Sequence, residues 1–542
     1  MEQVRQPWME YWREVAEVYL PRRYLALQSE ADRRSQSKEE YKSQYILDST
    51  GTIAARTLAS GMMNGITSPS RQWLRLGVAG SDGEESHYSR LWLDHNQRVI
   101  STIFNRSNFY TSMATLYFDL VVFGTGVILM YEDEESFIHC YNPPLGEYYL
   151  DQGADYRVNT FARKISLTVR QMVERWGYAN CSAMVQDAWD RGGAGLQKEY
   201  TIHHLIEPND KREGLVLDQF AYQELYWEAG APKGELLQTT GFHELPGMFV
   251  RWETVGNDPY GVGPSMEALG DVIQLQVETK RKGQIIDKMA DPPTQADVTL
   301  KNKPMSFNPG AVTFVNSLAT NGKSIQTVYE PRAPIDAITQ DILQLQARIR
   351  EIHHNDLFRM IAQLETVRSA TEVEALREER LVLLGPVLER FENEALEPSV
   401  RRVFGIANRA GLTPPPPPDL ADQPLEVQFV SILSVAQRAA GTAPVERMLQ
   451  LVGEVSGVIP EASTVLNMPE LLYNYARDIG VPIQGINPLE EIKQQVEAMR
   501  AQAQAQQQIE AGGNAAQGAA TLSQADVGGG LNALQLLAGA NT

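Results

Sequence analysis

One long helical segment with a proline inside it constrains this chain more than any other stretch. Within residues 371–409, apolar side chains recur at intervals that predict one helix face, namely Val373, Leu376, Leu383, Val387, Phe391 and Ala395. Thr371 and Glu374 form a capping box, in which a hydroxyl and a carboxylate bond two backbone N–H groups at the helix start. Pro386 has no N–H for the carbonyl of Val382, so the sequence predicts a kink there. A helix of roughly 55–60 Å is typical of a large assembly and exceeds what an enzyme core needs.

Composition and charge narrow the class of protein. The 542 residues are 43% hydrophobic, which is enough for two to four compact regions. A net charge of −20 argues against a protein that grips nucleic acid through its phosphates, but not against one that surrounds it. Cys140 and Cys181 cannot build a disulfide framework, which favours a reducing cytosol. The N-terminus lacks the apolar core of a signal peptide, and the most apolar run, 120–130, is too short to span a bilayer.

The first half of the chain changes from helical to β-rich. A first helix is predicted up to Pro21, with Trp8, Trp12, Val15 and Tyr19 spaced for one face. Further helices are predicted over 46–63 and in the amphipathic stretches 91–104 and 109–123. From Gly126 to about Val250, short runs rich in Val, Ile, Tyr and Phe are separated by Gly, Pro and Asp, which is typical of strands. One helix near Thr168 to Trp176 interrupts these strands.

Two further helices enclose a small β segment. Helices are predicted over 264–289 and from 335 to about 362, with a β-like stretch at 296–328 between them. This is the sequence form of an antiparallel helical stalk with a cap at its tip. After the long kinked helix come a stiff polyproline spacer at 414–418 and one returning strand that begins at Leu425. Further helices follow, and the last thirty residues, rich in Gly, Ala and Gln, are expected to be flexible.

No pattern in the sequence predicts catalysis, a cofactor or a metal site. The residues from Asn321 to Ser324 imitate the end of a phosphate-binding loop, but Ser317 stands where that motif needs glycine, and a strand follows. An Asn-Gly hairpin turn explains them better. Gly124 and Gly126 are likewise predicted to form a helix-to-strand turn and not a nucleotide-binding loop. The adjacent pairs His203-His204 and His353-His354 point their side chains apart and have no partner at zinc spacing.

Four basic residues are the candidates for contact with a polyanion. Lys280, Arg281 and Lys282 form a cluster on the first stalk helix of an otherwise acidic chain, and Arg368 lies in the segment after the second. Two interpretations stay open. The cluster is either a solvated helix face or part of a ring of positive charge, and Arg368 either faces the same polyanion or pairs with Glu365 or Glu372.

The chain resembles the head-to-tail connector, or portal, proteins of short-tailed bacteriophages. Matching stretches keep their order and spacing over most of residues 8–500. They are the N-terminal segment from Trp8 to Arg22, LDSTGTIAARTLASGMMNGITSPSRQWLRL (47–76), DLVVFGTGVILM (119–130), YGVGPSMEAL (260–269), the kinked-helix segment 370–404 and LEVQFVSILSVAQRA (425–439). The final forty residues carry no usable resemblance.

The resemblance implies a mostly helical α+β fold that assembles into a ring, usually a dodecamer. The corresponding regions are a wing at 1–263, a first stem helix at 264–290, a clip at 291–332, a second stem helix at 333–362, a channel loop at 363–370, a long wing helix with spacer and strand at 371–433, a crown at 434–485, and a helical barrel or flexible tail at 486–542. The implied partners are double-stranded DNA in the channel, the terminase ATPase, tail or adaptor proteins, and the major capsid and scaffolding proteins. The implied location is the portal vertex of the virion, after synthesis in the bacterial cytoplasm, with no membrane contact and no enzyme activity.

Elementary physics agrees with a ring, although other classes remain as alternatives. An acidic wall repels DNA phosphates, so a duplex slides through it and is not trapped. Two helices per subunit cannot bury all their faces alone, so ring closure would stabilise them. The alternatives are a helical tail or scaffold protein of a virion, and an acidic enzyme whose site has no recognised motif. A ring with a channel as wide as DNA distinguishes these classes.

Overall fold

The computed structural model is a mixed α and β chain, in agreement with the α+β prediction. It describes residues 1–24, 27, 46–78, 87–210, 219–230, 232, 235–291, 294–296, 325–327, 334–356, 384–420, 425–429, 448, 452, 467, 470–472, 492–499, 502 and 517. The chain divides into two compact units, one of Met1–Ala79 with His87–Ser434 and one of Gly80–Ser86 with Val435–Thr542. In the second unit, residues 492–499 are helical.

Five helices make up most of the N-terminal part of the first unit. They are α1 (Glu2–Tyr19), α2 (Pro21–Tyr24), α3 (Thr50–Ile66), α4 (His87–Arg106) and α5 (Phe109–Phe123). The face of α1 that the sequence predicts is buried through Trp12, Val15 and Tyr19. The helix ends before Pro21, whose fixed φ suits the first position of the next helix.

A glycine turn joins α5 to the first strand of the central sheet. Gly124 has φ +69°, and a Cβ atom there would lie 2.2 Å from the carbonyl oxygen of Gly261. Only glycine tolerates both the left-handed backbone and this close approach. The pair Gly124 and Gly126 is therefore a helix-to-strand turn, as the sequence predicts, and Gly126 lets Leu116 of α5 pack directly on the strand.

Two antiparallel sheets follow, and the first strand of the smaller sheet begins directly after this turn. Strand β1 (Leu74–Val78) precedes the turn and belongs to neither sheet. The strands of the two sheets are β2 (Thr125–Asp133), β3 (Phe137–Tyr141), β4 (Tyr148–Gln152), β5 (Val158–Thr168), β6 (Glu199–Pro208), β7 (Tyr222–Glu228), β8 (Gln238–Phe242) and β9 (Gly247–Arg251). The smaller sheet has the order β3-β2-β9 and the larger has the order β4-β5-β6-β7-β8. The first six residues of β2 are all buried, which explains why the sequence reads there as a continuous apolar run.

A satellite core lies on one face of the larger sheet. Helix α6 (Val169–Trp176) begins at a capping box between Thr168 and Gln171, and α7 (Ala183–Arg191) follows it. Val169, Met172 and Val185 are fully buried against Ile202 of β6. The sequence predicts α6, but it does not predict α7, β5 or β8.

Two long helices extend from the body, a name used here for the rest of the described part of the first unit. After the short α8 (Pro264–Glu267), α9 covers Leu269–Ala290 and α10 covers Ile335–Ile352. Between them, β10 (Thr294–Ala296) pairs antiparallel with β11 (Ile325–Thr327). Residues 321–324, which imitate a phosphate-binding loop, lie outside the described residues.

The long C-terminal helix has an irregular turn that the sequence does not predict. Residues 384–391 are helical through Pro386, a π-helical turn covers Glu392–Leu396, and the last helix, α12, covers Glu397–Arg409. Pro398 lies in the first turn of α12, and its missing N–H explains why the regular bonding pattern gives way just before it. The capping box at Thr371 and Val382, the residue on which the Pro386 kink depends, lie outside the described residues.

Two members of the buried stripe of this helix lie one residue after the predicted ones, at Leu384 and Leu388 in place of Leu383 and Val387. Leu384, Leu388, Phe391 and Ala395 are buried, whereas Val387 is half-buried. Spacings of four, three and four residues keep a stripe on one helix face, whereas successive spacings of four drift away from it. After α12, the predicted returning strand is β12 (Leu425–Phe429), which pairs antiparallel with β1. Among the described helices, none combines the length and apolar character needed to cross a membrane.

Candidate functional site

The helices α9 and α10, called here the helix pair, hold the basic residues that the sequence singles out. They run antiparallel, since Asp271 near the start of α9 forms an ion pair of 3.3 Å with Arg348 near the end of α10. Their buried side chains are mostly apolar. They are Val272, Leu275, Ile342, Leu345 and Ile349, and Val272 also lies against Gly51 of α3. Each of these side chains contributes roughly 1.5–3 kcal/mol of burial free energy, so the two helices hold each other at their base.

A segment before α3 fixes the base of the helix pair through amide hydrogen bonds. The side-chain oxygen of Gln276 accepts from the backbone N–H groups of Leu47 and Asp48, at 2.8 and 3.0 Å, and its nitrogen donates to the carbonyl of Asp48 at 2.8 Å. Gln346 on the second helix donates to the carboxylate of Asp48 at 2.6 Å. One short segment therefore bonds both helices.

The carboxylate of Asp48 is kept in its charged form by this arrangement. Burial acts to raise its pKa, but hydrogen bonds from Thr50 and Gln346 and the nearby charge of Arg350 outweigh that effect, so the pKa is lowered. A charged acceptor strengthens each of these hydrogen bonds. The base of the helix pair is thus held by a charge-assisted network as well as by apolar contact.

A buried histidine ends the second helix of the pair. His353 Nδ1 lies 2.7 Å from the carbonyl oxygen of Ile349, so that nitrogen carries the proton, and Nε2 accepts from the hydroxyl of Ser265 at 3.0 Å. Burial lowers the pKa of His353 to about 4. His354 then adopts a left-handed φ of +48°. The helix predicted to continue to about residue 362 is therefore wrong in its bounds, because α10 ends at Ile352; residues 355–356 are helical again and 357–383 are not described.

The basic cluster occupies the distal half of α9. Lys280 and Arg281 are exposed, Lys282 is half-buried, and none of the three forms an ion pair with a described residue. Consecutive residues of an α-helix are about 100° apart, so the three side chains cover more than half of the helix circumference. They cannot all face one direction, and at most two of them share a surface. Arg368 lies outside the described residues.

Exposed apolar side chains accompany this charge along the helix pair. They are Ile273, Val277, Ile286, Met289 and Leu343, each between 40% and 56% exposed. Ile273 and Val277 are four residues apart, so they share one face of α9, which differs from the face that carries the buried Val272 and Leu275. Ile286 lies nine residues after Val277 and therefore on the opposite side of α9. The apolar surface of the helix pair is thus the partly exposed face of Ile273 and Val277.

The two histidine pairs have structural surroundings. On β6, His204 is buried between Arg163 and Glu224, at 2.9 Å from each, whereas His203 points to the other side and stacks on Trp227. Their side chains diverge, as the sequence predicts for neighbours on a strand. Within the described ranges, no three His, Cys, Asp or Glu side chains group as metal ligands do.

Sequence reasoning does not find the amide network at the base of the helix pair. Gln276 is spaced four residues after Val272 on the buried face, and a glutamine at such a position signals a specific hydrogen-bond partner. The partner itself, a segment more than two hundred residues earlier, has no signal in the sequence.

Comparison with known proteins places the chain in a family. The family described as "Bacteriophage head to tail connecting protein" matches residues 1–486. A "Probable portal protein" of Bordetella phage BPP-1 is 37% identical over 525 residues, covering 96% of this chain and 91% of that protein. The "Portal protein" of Salmonella phage epsilon15 is 35% identical over 522 residues, covering 95% and 92%. The chain therefore belongs to the bacteriophage head-to-tail connecting protein family.

Proposed function

We propose that this chain is the subunit of a phage portal, a ring-shaped channel at one capsid vertex through which genomic DNA is packaged and ejected. Family membership over residues 1–486 and relatives named portal proteins support this function. The observation that carries the ring is the partly exposed apolar surface of the helix pair. Covering this surface with an identical neighbour removes apolar area from water, and a closed ring does so for every copy.

In this proposal each region of the chain has the role of the corresponding region in portal proteins. The body before the helix pair is the wing, the helix pair is the stem, and residues 291–332 are the clip on which terminase and later tail or adaptor proteins dock. Residues 434–485 form the crown, which faces the capsid interior. The ring is a dodecamer within the virion, contacts the major capsid and scaffolding proteins during assembly, and has no enzymatic activity.

The DNA-facing residues of the proposed channel are cations in an acidic wall. A chain of net charge −20 repels phosphates, so a duplex moves through the ring without strong binding. Lys280 and Arg281 are exposed on α9, and they rather than the half-buried Lys282 are the better candidates for contact. Arg368 is proposed from the sequence alone as a second ring of positive charge, in a loop at 363–370.

Assembly of a ring is the result that tests this function. Light scattering and negative-stain images of the purified protein are expected to give a ring with a channel as wide as duplex DNA. Val277→Asp places a charge on the apolar surface and should raise the concentration needed for assembly by at least about tenfold. The matched control is Val255→Asp, at a side chain that is 73% exposed in the body. A wild-type protein that stays monomeric would overturn the proposal, and rods or filaments without a channel would favour a tail or scaffold protein.

A further inference from the structure

A cleft in the body has a character opposite to that of the whole chain. It has a volume of about 1050 Å³ and opens between α1, strand β3 and strands β5 and β6. It exists because β4 pairs with β5 only as far as Arg163, whereas β6 continues alongside β5 to Thr168. All of its walls belong to the body and none to the helix pair.

Positive charge is concentrated on these walls. Among the described residues that line the cleft, the cations are Arg5, Arg13, Arg163, Lys164 and Arg175, and the one carboxylate is that of Glu147. Arg163 is paired with Glu147, and Lys164 is paired with Glu2 at the edge of the cleft. The chain as a whole has 68 acidic and 48 basic residues, so a random cleft would carry negative charge. The cleft thus presents five cations and one anion in a strongly acidic protein.

Three of these guanidinium groups are held by neutral partners. Arg5 donates to the carbonyls of Gly146 and Tyr148, Arg13 donates to the carbonyl of Leu27, and Arg175 donates to the hydroxyl of Tyr226. No described carboxylate forms an ion pair with any of the three. Arg5 is only 8% exposed, so its charge has lost most of its hydration, and the nearby carboxylate of Glu2 bonds Lys164 instead of Arg5. An anionic ligand would supply a directly bonded counter-charge.

The spacing of the cations favours an extended ligand over a single ion. Arg5 and Arg13 are eight residues apart on α1, which is about 12 Å along the helix axis. A lone phosphate cannot contact both, whereas an extended polypeptide covers that length with about four residues. The cleft is also several times larger than one ion.

The aromatic side chains of the cleft argue against a nucleic-acid strand. Binding of single strands relies on free aromatic faces on which bases stack. Here the ring of Tyr149 is covered by the guanidinium of Arg5 at 3.6 Å, and that of Tyr141 by Arg163 at 5.2 Å. The remaining groups suit carboxylates, which pair with guanidinium groups in a bidentate manner.

We propose that this cleft is a docking site for an acidic segment of another protein, with carboxylates spaced to meet Arg5, Arg13 and Arg175. The inference goes beyond the channel function and does not require it. The partner is defined by its chemistry: an extended stretch of at least four residues that carries Asp or Glu at both ends and small or polar residues between them.

Binding of a labelled acidic peptide to the purified full-length chain tests the site. A ten-residue Glu/Ser peptide is compared by fluorescence anisotropy with a Gln/Ser peptide of equal length, with pyrophosphate and with a ten-nucleotide single strand. Arg13→Gln and Arg175→Gln should each weaken binding of the acidic peptide about tenfold. Arg170→Gln is the matched control, since Arg170 lies on the same helix as Arg175 but does not line the cleft.

Each outcome decides for or against the site. Selective binding of the acidic peptide, lost in the two cleft variants and kept in the control, supports it. Equal binding of the Gln/Ser peptide, equal loss in the control, or no binding at all overturns it. Tighter binding of the single strand or of pyrophosphate would assign the cleft to another class of anion. Binding by dissociated subunits but not by the assembled protein would mean that a second copy of this chain fills the cleft.

Discussion

The body of the chain and the helix pair treat charge and apolar surface in opposite ways. In the body, Arg402 is fully buried and bonds the carbonyls of Met130 and Glu244, and Arg251 is paired with Glu394 beside the π-helical turn. Along the distal helix pair, Lys280 and Arg281 are exposed without a described ion-pair partner, and Met289 is 43% exposed. The body thus gives these two buried arginines partners within one chain, whereas the helix pair leaves its cations exposed. Substitutions in the body should therefore change folding, and those on the outer helix pair should change assembly.

The largest effect is expected at Arg402. Arg402→Ala removes the donor from the buried carbonyls of Met130 and Glu244, which should lower the free energy of unfolding by about 3–5 kcal/mol. Burial lowers the pKa of Arg402 to about 10, so the side chain remains charged at neutral pH. Unfolding by denaturant, followed by circular dichroism, measures the change.

The neighbouring residue gives the control for this substitution. Arg401 is exposed and pairs with Glu397 one turn away, so Arg401→Ala should cost less than about 0.5 kcal/mol. Equal losses for the two variants would show that the buried arginine does not hold the long helix against the sheet. The expectation that substitutions in the body change folding would then be wrong for Arg402.

A smaller effect is expected where the two regions join. Gln276→Ala leaves two N–H groups and one carbonyl near Asp48 without partners, and should cost about 2–3 kcal/mol. Hydrogen exchange at residues 46–50 should speed up accordingly. Gln274→Ala, on the same helix but exposed and bonded only to Glu278, is the control. If exchange is unchanged in Gln276→Ala, the base of the helix pair is held by apolar contact alone.

The sequence predicts those parts of the fold that depend on local pattern. The amphipathic face of α1 arises from residues close together in the chain, and so does the turn at Gly124. The helix α6 is predicted near Thr168, but its capping box is not. The π-helical turn at Glu392–Leu396 is not predicted. Pro398 lacks an N–H and so disturbs the backbone bonding of the turn before it, whereas the sequence draws attention to Pro386 in the middle of the apolar pattern.

The candidate site was predictable only in its charges. Lys280 and Arg281 are visible as a basic cluster in an acidic chain. Which of the cluster's side chains are exposed depends on the face of α9 that packs against α10, and the sequence does not give that face. The cationic cleft is not visible in the sequence, because α1 and β5 contribute two cations each and α6 contributes one, from positions 5 to 175 that only the fold brings together. Long-range pairings of this kind leave no periodic signal.

The smallest of the expected effects is the pH dependence of the joint between body and helix pair, which is the contact of His353 with Ser265 at the end of α10. Burial lowers the pKa of His353 from 6.5 to about 4, so protons bind the unfolded chain more tightly. The contribution of His353 is therefore fully present above pH 6.5, and it is lost as the pH falls from 6.5 towards 4. At pH 5 the loss is about 2 kcal/mol. His204 in the body behaves in the same direction, since its pKa is also lowered to about 4.

Comparing substitutions at the two histidines isolates the joint. The difference in unfolding free energy between wild type and His353→Gln should shrink by about 2 kcal/mol between pH 7 and pH 5, because glutamine does not titrate. His204→Gln serves as the reference in the body, where Glu224 and Arg163 also face the ring. Hydrogen exchange at residues 345–352 is the readout specific to the joint, and it should quicken at pH 5 in the wild type. Exchange there that is independent of pH would show that the buried His353–Ser265 contact does not hold the end of α10.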